Sequence, residues 1–222
     1  MNKDFQDLGN SIGYKFNDES ILDTAITHIS YAKDFGVESY ERLEFLGDAV
    51  LEMVVTDTIY REYQLPAGKL SKLRASLVST ENLCKIAKNL GLHTMVKKSK
   101  SLSQISKKTT ADLFESLLGA VYLDGGLSAA KIIIDSLVLV DKANLDKHLN
   151  SCETAKTTVQ ELLQSLGKNF EYRVVKTSGL DHEKVFEVEL VISGNVVSKG
   201  VSTSIQSAEE VAASEYLKLI NK

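Results

Sequence analysis

Six carboxylates of this chain fall in a pattern that could hold a hard cation. In the segment 41–55, Glu41, Glu44, Asp48 and Glu52 follow i, i+3, i+7, i+11, so on a helix all four share one face. Leu43, Phe45, Leu46, Val50, Leu51, Val54 and Val55 fill the rest of the circumference and mark a mostly buried helix. In a second segment, 111–126, Asp112 and Glu115 are i, i+3 neighbours leading into Leu117, Leu118, Val121 and Leu123. Carboxylates on buried helices are costly unless something compensates them. Converging oxygen donors with no nearby His or Cys are what Mg²⁺ takes. The plain alternative is a solvated acidic face, which is what most acidic stripes are. Gly47 weighs against it, because a mid-helix glycine costs about 1 kcal/mol relative to alanine and suggests that another backbone packs close by.

A helical frame surrounds both segments. Up to about residue 148 the apolar spacing is helical almost throughout, with no strand alternation. Ile21, Leu22, Ala25 and Ile26 open one amphipathic stretch. Further helices are predicted over 41–60, 70–77 and 81–90, the last stopping at Gly91. Pro66 falls in the turn before Lys69. A helix over 112–122 ends at a Gly125-Gly126 turn, and Ser128 caps a last one over 129–140. Tyr60, Tyr63 and Tyr122 have apolar neighbours at helical spacing and are expected in the core; His93 and His148 are expected on the surface.

After a polar joint near 148–153 the period changes. Thr157 to Leu166 predicts a helix ending at Gly167. Residues 170–176 and 184–192 alternate, the latter with Val185, Glu187, Glu189 and Val191 on one face and Phe186, Val188, Leu190 and Ile192 on the other. A turn at Ser193-Gly194 leads to a third strand over 195–202. A closing helix over 207–220 carries Ala208, Val211, Ala212, Tyr216, Leu217 and Leu219 as its core. The expected fold is therefore an all-α domain over 1–150, then a small α+β domain of order α-β-β-β-α over 151–222. The short joint implies hinged repositioning rather than free tethering.

Composition sets outer bounds. At 222 residues, 43% apolar and 25% charged, the chain suits two ordinary globular domains. Cys84 and Cys152 form no spaced pair and read as reduced thiols of a cytoplasmic protein. Residues 1–8 lack the apolar core of a signal peptide, and no apolar run approaches the length that spans a bilayer, so no membrane is expected. A net charge of −4 argues mildly against a nucleic-acid partner. The bases cluster, however: Lys69, Lys72 and Arg74 in one stretch, Lys97, Lys98, Lys100, Lys107 and Lys108 in another. The second stretch directly precedes Asp112, so it could line a groove beside the carboxylates, or be a mobile polar loop.

The run ERLEFLGDAVL, residues 41–51, resembles the signature of the ribonuclease III family, endonucleases that cut double-stranded RNA. Residues 110–126 resemble that family's second conserved stretch; Ala25-Ile26-Thr27-His28 and Leu70-Ser71-Lys72-Leu73-Arg74-Ala75 agree with it too. The resemblance covers essentially the whole chain. It implies a helical catalytic domain, a homodimer with Phe45, Leu46 and Met53 packing across the two-fold, and a cofactor Mg²⁺, with Mn²⁺ as substitute. Glu44, Asp48, Asp112 and Glu115 match the metal ligands, with Asp48 and Glu115 central to catalysis. Glu41, Arg42, Lys72 and Arg74 match secondary active-site positions. Arg42, between two acids, would hold them in register or form an ordinary buried ion pair. Implied products carry 5′-phosphate and 3′-hydroxyl ends with short 3′ overhangs, from structured precursors that include ribosomal RNA. One departure is Ala67, where the family usually has an acid. A lone His28 is read as a satisfied structural group.

The α-β-β-β-α order resembles a double-stranded-RNA-binding domain, which reads the shape and 2′-hydroxyls of A-form RNA. Thr157, Gln160 and Glu161 match its first minor-groove contact, and Asp181 with His182 its second. The usual lysine pair opening the last helix is absent from Ser204-Ile205-Gln206-Ser207, with Lys199 as a partial substitute. Eight bases stand against ten acids in 151–222, so a weak auxiliary binder is expected. The alternative function is a regulatory protein that binds double-stranded RNA without cutting it; four retained carboxylates argue against that.

Overall fold

The computed structural model describes residues 3–152, 154–179 and 184–220, with side chains throughout except at 150–152. The chain separates into two compact units, Met1–Cys152 and Glu153–Lys222.

In the first unit, α1 (Lys3–Ile12) buries Phe5, Leu8 and Ile12, an i, i+3, i+7 stripe at the very start of the chain. Helix α2 (Glu19–Ala25) starts where the Asp18 carboxylate accepts from the Ser20 N–H. Helix α3 (Ile29–Phe35) starts where His28 Nδ1 accepts from the Ser30 N–H at 3.1 Å, so His28 is a helix cap. Then come α4 (Glu41–Glu62), α5 (Ala67–Leu77) opened by Pro66, α6 (Thr80–Asn89), α7 (Leu92–Met95) and α8 (Lys107–Ile134). The proline suits a helix start, where its missing N–H has no partner to lose. A single π-helical turn, Asp135–Leu139, and α9 (Lys142–Cys152) complete the unit. Strand-like pairing among the described residues of this unit amounts to an isolated bridge, Thr27 to Lys97.

Several expectations change. The Gly125-Gly126 turn is a kink at Gly126 (φ 75°, ψ −178°), across which helical hydrogen bonding resumes. The polar joint from 148 to 152 is instead the end of α9, which Tyr63 and His148 pin down. The Tyr63 hydroxyl donates to Asp146 Oδ1 at 2.6 Å, and His148 Nδ1 lies 2.8 Å from Ser76 Oγ. Tyr60 is 70% exposed, not core. The stretch 107–139 is long and apolar enough to cross a membrane by length and composition, contrary to the expectation from the sequence. Its apolar residues are committed elsewhere: Leu113, Phe114, Leu117, Leu118, Ala120 and Val121 are fully buried in the domain core.

The central packing event of this unit is the crossing of α4 and α8. A Cβ built on Gly47 would lie 1.8 Å from the Glu115 carbonyl oxygen, and one on Gly119 would lie 2.2 Å from that of Leu43. Glycine at both points lets the two backbones touch, which is the close approach that Gly47 foreshadowed.

The second unit runs α10 (Ala155–Ser165), β1 (Phe170–Ser178), β2 (Val185–Ile192), β3 (Asn195–Ser202) and α11 (Ile205–Ile220). The strands form one antiparallel sheet of order β1-β2-β3. Ser193 (φ 49°) and Gly194 (φ 83°) make the tight turn between β2 and β3, a geometry whose twist matches its flanking strands. Val188, Leu190 and Ile192 are buried as the alternation predicted. Val191 is buried as well, and the ladder slips there: Leu190 pairs with Ser198 but Val191 with Val196. Helix α11 meets the sheet through Ala208, Ala212 and Ala213. At Gly200 a Cβ would fall 2.1 Å from the Ala208 carbonyl, so small residues on both sides set this contact. Val211 and Leu219, expected in the core, are exposed.

Candidate active site

Because α4 and α8 touch at Gly47 and Gly119, the carboxylates that flank those glycines are forced together. Oxygen atoms of Glu44, Asp112 and Glu115 all lie within 4.8 Å of one another. Asp112 is buried, while Glu44 and Glu115 are half-buried. Asp48, one turn further along α4, is exposed and lies outside this tight group, though its charge reaches Glu115.

The electrostatics follow from that crowding. Burial, then the charges of Asp48, Asp112 and Glu44, push the Glu115 carboxyl up to about 7, while Lys108 pulls it down in part. Burial and Asp112 also raise Glu44, with Lys108 opposing. Lys108 Nζ donates to both oxygens of Asp112 at 3.0 Å and sits 3.7 Å from Glu44 Oε1. Tyr40, buried at the start of α4, faces the same cluster. Burial and then the charges of Asp112, Glu44 and Glu41 hold its phenol well above its usual range, so it stays neutral and can donate.

The remaining residues expected at the site are dispersed. Glu41 is exposed and accepts from Ser39 Oγ at 3.0 Å. Arg42 is exposed and pairs with Glu38 at 3.3 Å, neither buried nor between the acids. Positions two apart on a helix point to opposite sides, so Arg42 cannot share a face with Glu44. Glu52 leaves the stripe for Arg74, whose Nε lies 3.1 Å from it while a second nitrogen donates to Thr56 Oγ1. Lys72 is exposed on α5. The basic stretch before Asp112 is largely spent on structure. Lys97 pairs with Asp23, and Lys98 donates to the carbonyls of Leu102 and Ser103. Tyr40 and the Lys108–Glu44 contact had no clear signal in the sequence; only the Lys108–Asp112 spacing, i to i+4, was legible.

In the second unit, Thr157 is half-buried and Gln160 and Glu161 are exposed, on the side of α10 away from buried Val159 and Leu163. Thr157 also closes the helix start, its N–H and hydroxyl both meeting Thr154 Oγ1. Lys199 does not join them. It lies on the sheet face opposite Ser198 and Gly200, paired with Glu189 at 2.8 Å and near Glu187 at 3.7 Å. Asp181 and His182 lie outside the described residues.

Residues 18–142 match the family model described as Ribonuclease-III-like, and residues 155–220 that of the double-stranded RNA binding motif. Ribonuclease 3 of Natranaerobius thermophilus is 38% identical, over 99% of this chain and 98% of its own length. Ribonuclease 3 of Enterococcus faecalis is 36% identical, over 96% of each. Among solved structures, a nuclease domain of ribonuclease III from Campylobacter jejuni, with flexibility in a region involved in its dimer formation, aligns at a TM-score of 0.58. It has 34% identity and covers 63% of this chain and 99% of that one. Two domain matches in the right order and relatives alike from end to end leave one conclusion: the chain belongs to the ribonuclease III family of double-stranded-RNA endoribonucleases.

Proposed function

We propose that the chain acts in the cytoplasm as a homodimer and cuts double-stranded RNA with Mg²⁺. Its products would be 5′-phosphate and 3′-hydroxyl ends with short 3′ overhangs, from ribosomal RNA and other structured precursors. Residues 1–150 form the catalytic domain and 151–222 the RNA-binding domain. The observation that carries this is the convergence of Glu44, Asp112 and Glu115 where α4 and α8 touch.

The donor set suits a divalent cation on three grounds. All donors are carboxylate oxygens, the choice of Mg²⁺ or Mn²⁺. An ammonium group, Lys108, already satisfies two of the acids as a cation would. Burial and then repulsion by Asp48, Asp112 and Glu44 push the Glu115 carboxyl up to about 7, and a cation would relieve the repulsive part. Glu44, Asp48, Asp112 and Glu115 are the ligands we assign. A bound divalent cation supplies charge stabilisation to the phosphodiester and a lowered pKa to water.

The chain's own residues do the rest. Asp112 is fixed by burial and Glu44 and Glu115 by the helix crossing, so the donors need little reorganisation before reaction. Glu115 must lose its proton to serve as a ligand. Tyr40, buried and held neutral by burial and the charges of Asp112, Glu44 and Glu41, adds no charge of its own to the site. Water adds to phosphorus, the bond to the 3′ oxygen breaks, and that oxygen leaves as the 3′-hydroxyl. Thr157, Gln160 and Glu161 present α10 to the minor groove. Asp181 and His182 are proposed as the second contact. With no lysine in Ser204-Ile205-Gln206-Ser207, where a pair would grip phosphate, and Lys199 held by two acids, this domain is a weak auxiliary binder.

A dimer is supported by the outer face of α4. At about 100° per residue, Phe45, Ala49, Met53, Thr56 and Tyr60 fall within about 80° of one another. Phe45 is 81% exposed, Tyr60 70% and Met53 50%, an apolar strip beside the acid stripe. Phe45→Glu is expected to convert the dimer to monomer, read by light scattering; an unchanged mass would take α4 out of the interface.

The reaction itself is tested on a long perfect RNA duplex. Discrete short duplexes with Mg²⁺ and none in EDTA are expected. Intact RNA in Mg²⁺, with a mobility shift that persists in EDTA, would replace the nuclease reading with a non-cleaving binder.

A further inference from the structure

Lys108 occupies a position that its own helix does not favour. It lies in the first turn of α8, where the unpaired N–H groups carry partial positive charge and acids, not bases, are stabilised. It also precedes Asp112 by four residues, the less favourable order for a helical lysine–acid pair. What holds it is the cluster: both oxygens of Asp112 at 3.0 Å and Glu44 at 3.7 Å. Those oxygens are the ones a divalent cation would need, and an ammonium donating to them uses the lone pairs that coordination requires. Like charge at short range and shared acceptor oxygens therefore set the two cations in competition. The lysine side chain is 72% exposed, so nothing walls it in when it leaves.

We propose that Lys108 is a resident counter-cation: it holds the metal-free carboxylates together, competes with the divalent ion for them, and so sets the metal concentration the enzyme requires. This rests on the metal-site reading above. On it, Lys108 is a positioning residue that yields its place at each loading of the site. Lys107, the preceding residue, carries the same charge and is exposed, but its field falls on Glu81 instead. It is the control for bulk charge.

The test is Mn²⁺ binding to the full chain without RNA, followed by the electron paramagnetic resonance of free Mn²⁺. Lys108→Met is expected to bind about fivefold more tightly, the upper range for releasing one exposed ion pair. Lys107→Met should stay within about twofold of the parent by the same scale. Without metal, Lys108→Met should melt at lower temperature than the parent, and the gap should close at saturating Mn²⁺. Equal or weaker Mn²⁺ binding by Lys108→Met, with binding by the parent intact, overturns this inference alone. A parent that binds Mn²⁺ no better than Glu115→Gln does would remove the metal site and this inference with it. Should Lys108→Met fail to fold, labelling of the parent with an amine-reactive reagent decides. Mn²⁺ should raise modification at Lys108 and leave Lys107 unchanged; no rise at Lys108 overturns the competition.

Discussion

Glu115→Gln is expected to abolish duplex cleavage, by at least about a hundredfold, while the metal-free protein becomes more stable. The size follows from the family of effects it belongs to. Altering groups that merely orient metal ligands costs about 10- to 100-fold, so loss of a ligand itself should exceed that range. The stability gain follows from the electrostatics. Glu115 has its carboxyl pushed up to about 7 from 4.5, first by burial and then by Asp48, Asp112 and Glu44. A carboxyl raised in the folded state binds its proton more tightly there than in the unfolded chain. Its contribution to stability is complete below about pH 4.5 and is lost as pH rises through about 7.

The metal-free parent should therefore lose stability between pH 5 and 7.5 more steeply than Glu115→Gln, which has nothing to ionise there. Metal binding must expel the same proton, so affinity for Mg²⁺ should fall about tenfold per pH unit below pH 7 in the parent. Thermal melting at several pH values, with and without Mg²⁺, reads both effects. A Glu115→Gln protein that still cuts, or a parent whose metal-free stability is flat across this window, would refute the role assigned to Glu115.

Gly47→Ala is expected to cost about 3 kcal/mol or more and to lower the melting temperature of the first unit by about 10 °C. The added methyl carbon would stand 1.8 Å from the Glu115 carbonyl oxygen and 2.7 Å from the Gly119 nitrogen. These are backbone atoms, which no rotamer change can move aside. The helices must separate, and since the crossing also fixes the distance between Glu44 and Glu115, cleavage should fall with stability. Gly68→Ala is the matched control. It lies in α5, nothing stands within 4 Å of its added carbon, and the change removes backbone freedom from the unfolded chain. It should be neutral or stabilising by up to about 1 kcal/mol. Both are read by thermal and urea denaturation. A Gly47→Ala protein melting within about 2 °C of the parent would mean the two helices are not in backbone contact.

Much of this molecule follows from local pattern. The helical spacing of 41–60, the alternation of 185–192 and the Ser193-Gly194 turn are properties of neighbouring residues, so they were legible along the chain. So were the two acidic segments and the glycine between Glu44 and Asp48, because period and residue type alone place carboxylates on one face. What the sequence could not decide is which of those acids meet. Glu44 and Glu52 look equivalent on the stripe, yet Glu44 meets Asp112 and Glu115 while Glu52 turns to Arg74. The difference lies in where α8 and α5 pass α4, a long-range fact with no local signature. The same holds for Tyr60, whose apolar neighbours at helical spacing suggested core but whose side chain the packing leaves 70% exposed. Lys199 illustrates it in the sheet: its charge was visible, but only the strand register, which sets it opposite Glu189, commits that charge to a neighbour. Residue type and period determined the elements and the chemistry available to them. Packing between distant segments decided which groups stand close enough to act together, because distance and burial, not identity, set their energies.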